Sequence, residues 1–141
     1  MAIIYLKNAT NITPVSILIA EDDIDDQELL AQALQSLNPD VNAAFITNGN
    51  AFRLHLEKLE DDCLPKVILL DYNLPEMSGV EILKLLRGNA RYRQIPKMIW
   101  STSNSSIFKN QSVEFGAVDY FVKPSDFDSF TVIAKKILEY V

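Results

Sequence analysis

Four places in the chain put reactive side chains directly after short apolar runs. Ile17-Leu18-Ile19-Ala20 ends in Glu21-Asp22-Asp23, and Val67-Ile68-Leu69-Leu70 ends in Asp71. Met98-Ile99-Trp100 ends in Ser101-Thr102, and Tyr120-Phe121-Val122 ends in Lys123-Pro124. If these four ends meet, several carboxylates share one small volume with a hydroxyl and a single ammonium. Carboxylates a few ångströms apart repel one another, and a divalent cation with oxygen ligands relieves that repulsion most cheaply. Mg²⁺ fits, because it takes about six oxygens, keeps several waters, and commonly uses one or two carboxylates plus a substrate phosphate. A carboxylate is also a nucleophile toward phosphorus, giving an acyl phosphate. Such a transfer needs positioning and neutralisation of the phosphoryl oxygens, which a cation and Lys123 would supply.

The elements that must bring these residues together are legible in the hydrophobic pattern. After Pro14, short apolar runs alternate with longer segments of helical spacing, the pattern of βα units around a parallel sheet, and five such units are expected. Strands are predicted over residues 16–20, 41–47, 66–71, 97–101 and 118–122. Their unbroken apolar runs suit strands covered by helices on both faces. Helices are predicted at 24–37, at a stretch carrying Phe52, Leu56 and Leu59 after the Asn48-Gly49-Asn50 turn, at 80–87, and at 126–140. Gly88 is placed to end the third helix in a left-handed cap. Residues 104–115 make the weakest helix, since their Ser and Asn side chains compete for backbone hydrogen bonds, and a short or mobile element is expected there. In an open parallel sheet the site lies beyond the carboxyl ends of the strands, near the reversal of strand order. All four reactive groups fall at such ends.

Bulk properties narrow the function. The 141 residues suit one domain, residues 16–141, behind a leader of residues 1–15, and an attached output domain is not expected. The leader's apolar Ile3, Ile4 and Leu6 have no assigned role. A formal charge of −6 disfavours a grip on nucleic acid, which needs clustered Lys and Arg. Cys63 is the only cysteine, so no internal disulfide forms, and there is no long apolar run for export or membrane insertion. A cytoplasmic protein without membrane contacts is expected. The Asn-x-Ser/Thr triplets at Asn8, Asn11, Asn104 and Asn110 read as chance.

The segments ILIAEDD, VILLDYNLPEMSG, IWST and GAVDYFVKP, in this order and spacing, resemble the signature blocks of receiver domains of two-component response regulators, over residues 16–141. The resemblance implies an α/β, flavodoxin-like fold, a doubly wound (βα)5 parallel sheet of five strands in the order 2-1-3-4-5. It implies that Asp71 accepts a phosphoryl group from a sensor histidine kinase or phosphotransfer protein, with Mg²⁺ as cofactor. Glu21 and Asp22 would be the acidic pair, Asp22 binding the metal directly, with Asp71 and the backbone carbonyl of Asn73 completing the protein's share of the shell. Ser101 would hydrogen-bond the phosphoryl oxygen, Lys123 would pair with it, and Ser101 with Tyr120 would form the switch. By the same resemblance the Lys123-Pro124 bond is expected to be cis, and signal would leave through the fourth helix, fifth strand and fifth helix to a downstream protein. The kinase, the target and the question of a homodimer are left open by the sequence. Two departures stand out: Thr102 is bulkier than the Ala or Gly common at its position, which puts dephosphorylation rates in question, and the first acid is Glu21 where Asp is frequent.

Other polar residues read as structural. Asp25, Asp26 and Glu28 suit a solvated first helical turn, where carboxylates meet the helix N-terminus favourably. His55, the one histidine, lies among Phe52, Leu56 and Leu59 without catalytic context, and Trp100 reads as core. Arg87, Arg91, Arg93 and Lys97 read as a solvated basic surface. Two rival functions share parts of this pattern. A haloacid dehalogenase-type phosphatase would need a second Asp two residues after Asp71, where Asn73 stands and cannot protonate a leaving group. A receiver-like binding module that signals without phosphorylation would not need the acceptor, the acidic pair and the lysine, all of which are kept.

Overall fold

The computed structural model describes the backbone of Ile3–Tyr5 and residues 14–141. Among the described residues six strands and five α-helices run in the order β1 (Ile3–Tyr5), β2 (Ile17–Ala20), α1 (Ile24–Leu37), β3 (Ala43–Ile46), α2 (Gly49–Lys58), β4 (Val67–Asp71), α3 (Gly79–Arg87), β5 (Lys97–Ser101), α4 (Ser106–Glu114), β6 (Asp119–Val122) and α5 (Phe127–Leu138). The sheet order is β1-β3-β2-β4-β5-β6. Strands β2 to β6 are mutually parallel, and renumbered alone they follow the expected order 2-1-3-4-5.

Alternation along the strands builds two cores. Ile17, Ile19, Val67, Leu69, Met98 and Trp100 pack on one face with Leu30, Leu34, Phe130 and Ile137 of α1 and α5. Leu18, Ala20, Ile68, Leu70 and Ile99 pack on the other with Phe52, Leu56, Ile82 and Leu86 of α2 and α3. Both faces of the central strands are therefore dry, which is why their sequences read as continuous apolar runs.

Helix starts follow local chemistry. Asp23 accepts from the Asp26 N–H at 2.9 Å, Asn48 from Ala51 N–H at 2.7 Å, and Asp126 from Ser129 N–H at 2.9 Å. Ser78 and Glu81 cap α3 reciprocally, each side chain accepting from the other's backbone N–H.

The structure adds one element to the expected sheet and corrects one expected cap. Beside the five parallel strands, Ile3–Tyr5 pairs antiparallel with β3, Ile4 opposite Phe45, and so covers an otherwise open sheet edge. Three residues are too short for a periodic signal, so the sequence left the leader unassigned. Leu6, Asn8 and Asn11 lie outside the described residues. Gly88 does not take a left-handed cap: its φ is −74°, and the chain continues through Asn89 into a single 3-10 turn, Ala90–Tyr92, capped by the Asn89 side chain. The left-handed glycine is Gly116, at φ 101°, after α4.

Gly79 is required by close approach. A Cβ there would sit 2.3 Å from the carbonyl oxygen of Asp71. Gly79→Ala is expected to destabilise the fold by about 1–3 kcal/mol through overpacking, read as a lower urea midpoint with an unchanged denaturant slope. A midpoint equal to wild type would mean that this loop yields freely.

Candidate functional site

The strand order reverses between β2 and β4, and their carboxyl ends carry Glu21 and Asp71. Glu21 is fully buried and Asp71 is 4% exposed, whereas Asp22 faces solvent. Glu21 is locked by its own neighbourhood: its carboxylate accepts from Asp23 N–H at 3.0 Å and its carbonyl from the Gln27 amide at 2.7 Å. Asp71 accepts from Asn73 N–H at 3.0 Å.

Lys123 follows β6. Its N–H donates to Ser101 O at 2.7 Å, extending the β5–β6 ladder and aiming the side chain across the strand ends. Its Nζ lies 2.6 Å from Glu21 Oε1, 2.9 Å from Asp71 Oδ2 and 3.1 Å from Asp26 Oδ2. It also stands 5.0 Å from the centre of the Trp100 ring, which is buried edge-on to Phe130. The expected cis bond is absent, since no cis peptide occurs among the described residues. The ladder bond to Ser101 already sets the direction of Lys123, so the lysine reaches all three carboxylates from a trans Lys123-Pro124.

These groups line a cleft of about 240 Å³ with Asp22, Asp23, Asn73 and Thr102. Carboxylate oxygens of Glu21, Asp22 and Asp71 all lie within 4.8 Å of one another, close enough to share one divalent cation. Burial, and then the charge of Asp71, push the Glu21 carboxyl up to about 8, against the pull of Lys123 and the Asp23 N–H. Burial would lower Lys123, but Glu21 and Asp71 outweigh it and hold the ammonium well above its ordinary range. The cluster is thus short of positive charge, the condition in which a bound cation is most favourable.

Ser101 is buried beside the cleft, and its Oγ accepts from Ser103 N–H at 3.1 Å. The Tyr120 ring is already turned inward, 9% exposed, with its hydroxyl donating to Ser103 O at 2.6 Å. The sequence pattern therefore named residues that the fold does bring together.

It missed two. The sequence pattern puts Asp26 on the solvated helix face, yet one turn into α1 it reaches Lys123. The signal was its spacing of three residues from the cap Asp23, which turns it toward the strand ends. Tyr72, next to Asp71, was not singled out. It stacks on Phe108 with ring centres 4.1 Å apart and donates to Gln111 Oε1 at 2.5 Å, tying the acceptor loop to α4. The basic group at 87–97 also divides: Arg91 holds the end of α2 through Asp61 and the carbonyls of Leu56 and Leu59, while Lys97 is buried.

No described helix is long and apolar enough to cross a membrane. Comparison with known proteins agrees with this geometry. The family model of the response regulator receiver domain matches residues 17–135. The two-component response regulator ORR5 of Oryza sativa subsp. japonica is 30% identical over 122 residues, covering 86% of this chain and 87% of that protein. The probable methanogenesis regulatory protein FilR2 of Methanothrix harundinacea is 28% identical over 129 residues, covering 90% of this chain and 83% of the relative. Among solved structures, the phosphorylated cyanobacterial phytochrome response regulator RcpA superposes with a TM-score of 0.79 at 25% identity, over 88% of this chain and 91% of that one. The Mn²⁺-bound response regulator Rcp1 does so at 0.78 and 25%, over 90% and 94%. Signature blocks, sheet order and a lysine-bridged acidic cleft at the reversal point coincide with a match over most of the length, and the chain belongs to the receiver domain family of two-component response regulators.

Proposed function

We propose that Asp71 receives a phosphoryl group from a histidine kinase or phosphotransfer protein. The observation that carries this reading is the Lys123 ammonium bridging Asp71 and Glu21 at the mouth of an acidic cleft. An Asp71 oxygen forms the new bond to phosphorus while the donor's phosphorus–nitrogen bond breaks, and the freed imidazole keeps the electron pair and takes up a proton. Lys123, already placed 2.9 Å from Asp71, pairs with the charge on the transferred group. Ser101 Oγ offers a hydrogen bond to a phosphoryl oxygen. Glu21, Asp22, Asp71 and the Asn73 carbonyl would hold Mg²⁺, which when bound neutralises phosphoryl oxygens. Residues 16–141 would act as the receiver unit in the cytoplasm, catalysing their own phosphorylation and dephosphorylation and passing signal by protein contacts. Incubation with acetyl phosphate and Mg²⁺ followed by intact mass tests the reading, and a chain that never gains a phosphoryl group overturns it.

The raised carboxyl of Glu21 predicts a pH-dependent metal affinity. Protonated Glu21 is a poor ligand, so Mg²⁺ binding should tighten as pH rises toward about 8 and then level off. The sign for stability is opposite in the metal-free protein. A carboxyl raised from 4.5 to about 8 contributes stability that is complete below the lower value and lost as pH rises through the upper one. Calorimetric titration with Mg²⁺ from pH 6 to 9 checks this, and Glu21→Gln should flatten the profile. A pH-independent wild-type affinity would contradict it.

A further inference from the structure

At the end of the sheet opposite Asp71, β5 begins with Lys97, whose side chain points into the α3–α4 face. Lys97 is 7% exposed, and its Nζ donates to Tyr92 O at 2.6 Å. An ammonium has three N–H donors, and the hydrogen bond to Tyr92 uses one of them. Among the described residues neither Lys97 nor Arg87 nor Arg93 forms a salt bridge, although the chain carries 19 acidic residues against 13 Lys and Arg. Arg87 is fixed by donating to Glu114 O at 2.7 Å.

Two cavities, of about 320 and 520 Å³, adjoin here and share Arg93, Lys97 and Gly116 in their walls. Arg87 lines the first and Lys66 the second, and Glu114 is the only acidic residue in either lining. A side chain at Gly116 would project into open space, so the glycine leaves this wall low. Cavities of this size suit small molecules rather than a flat protein contact.

We infer that this groove is a binding site for a small oxyanion carrying two or more negative charges, of the phosphoryl or carboxylate class. A buried ammonium without a counter-charge is costly, and an anion would supply the missing partner. Arg93 offers the planar fork that grips such oxygens in pairs, while Lys97 supplies a point charge at the floor. The site lies against the C-terminal end of α4, so occupancy restrains the helix whose other side Tyr72 holds. The groove shares no lining residue with the Asp71 cleft.

The test is an amide-resolved NMR titration of the full chain in metal-free buffer at constant ionic strength, with inorganic pyrophosphate in one arm and succinate in the other. Saturable shifts are expected at Arg93, Lys97 and Gly116. Arg93→Gln, a surface change, and Lys97→Gln should each weaken binding by roughly tenfold or more. Saturation by pyrophosphate alone assigns the phosphoryl class, and saturation by succinate admits carboxylates. Linear, unsaturated drift with both anions overturns the site, as do saturable shifts that persist undiminished in Arg93→Gln, whether or not Lys97→Gln folds.

Discussion

Asp71→Asn, incubated with acetyl phosphate and Mg²⁺, is expected to stay at its unmodified mass while the wild-type chain gains one phosphoryl group. An amide oxygen cannot form the stable acyl phosphate that a carboxylate forms, so the loss should be complete rather than partial. The substitution is nearly isosteric and leaves local contacts in place: an Asn carbonyl oxygen can still accept from Asn73 N–H, and Lys123 keeps Glu21 and Asp26. The variant should therefore fold, and circular dichroism and a thermal transition would establish that. Asp26→Asn is the informative companion. It removes the most distant of the three carboxylates at Lys123, and the mass gain should persist. An undiminished gain in folded Asp71→Asn would sink the acceptor assignment.

The strand-end site was legible because parallel-sheet topology leaves little freedom: a carboxylate that follows a doubly buried strand can only emerge at the carboxyl edge. Glu21, Asp71, Ser101 and Lys123 were found that way. What escaped depends on contacts between elements remote in sequence. Asp26 differs from Asp25 locally only in its spacing from the cap Asp23, and it gains a lysine because Lys123, after β6, reaches across the strand ends to it. Lys97 resembles any surface lysine before a strand, and its burial comes from Tyr92 and the α3–α4 packing. Gly88 carried the right residue for a left-handed cap, but the cap of the following 3-10 turn satisfied the chain in another way. The strand Ile3–Tyr5 exists through pairing with β3 alone, which no local pattern announces.

A stable acyl-phosphate mimic such as beryllofluoride should change backbone hydrogen exchange between Ser101 and Tyr120 by roughly a hundredfold at the most affected amides, a few kcal/mol in local opening free energy. Phosphorylation adds nearly two negative charges and new acceptor oxygens beside Asp71. Ser101 Oγ, which now accepts from Ser103 N–H, should turn to donate to them. The Ser103 amide then loses its acceptor, and the same residue's carbonyl holds the Tyr120 hydroxyl. Because the Tyr120 ring is already inward, the expected motion is in the 102–105 loop and α4 rather than in an inward swing of the ring. Helix α4 suits that part. Ser112 is its one buried residue, Ile107 and Val113 are 73% and 55% exposed, and Phe108 and Gln111 fasten it to Tyr72 beside the acceptor. With so few anchors its local opening costs little, so the new phosphoryl contacts are enough to shift its population. Tyr72→Ala should raise α4 exchange even without the mimic, by removing both the ring stack and the hydrogen bond. Exchange that stays unchanged from Ser101 to Tyr120, with mimic binding confirmed by fluorine NMR, would place the output on another face of the domain.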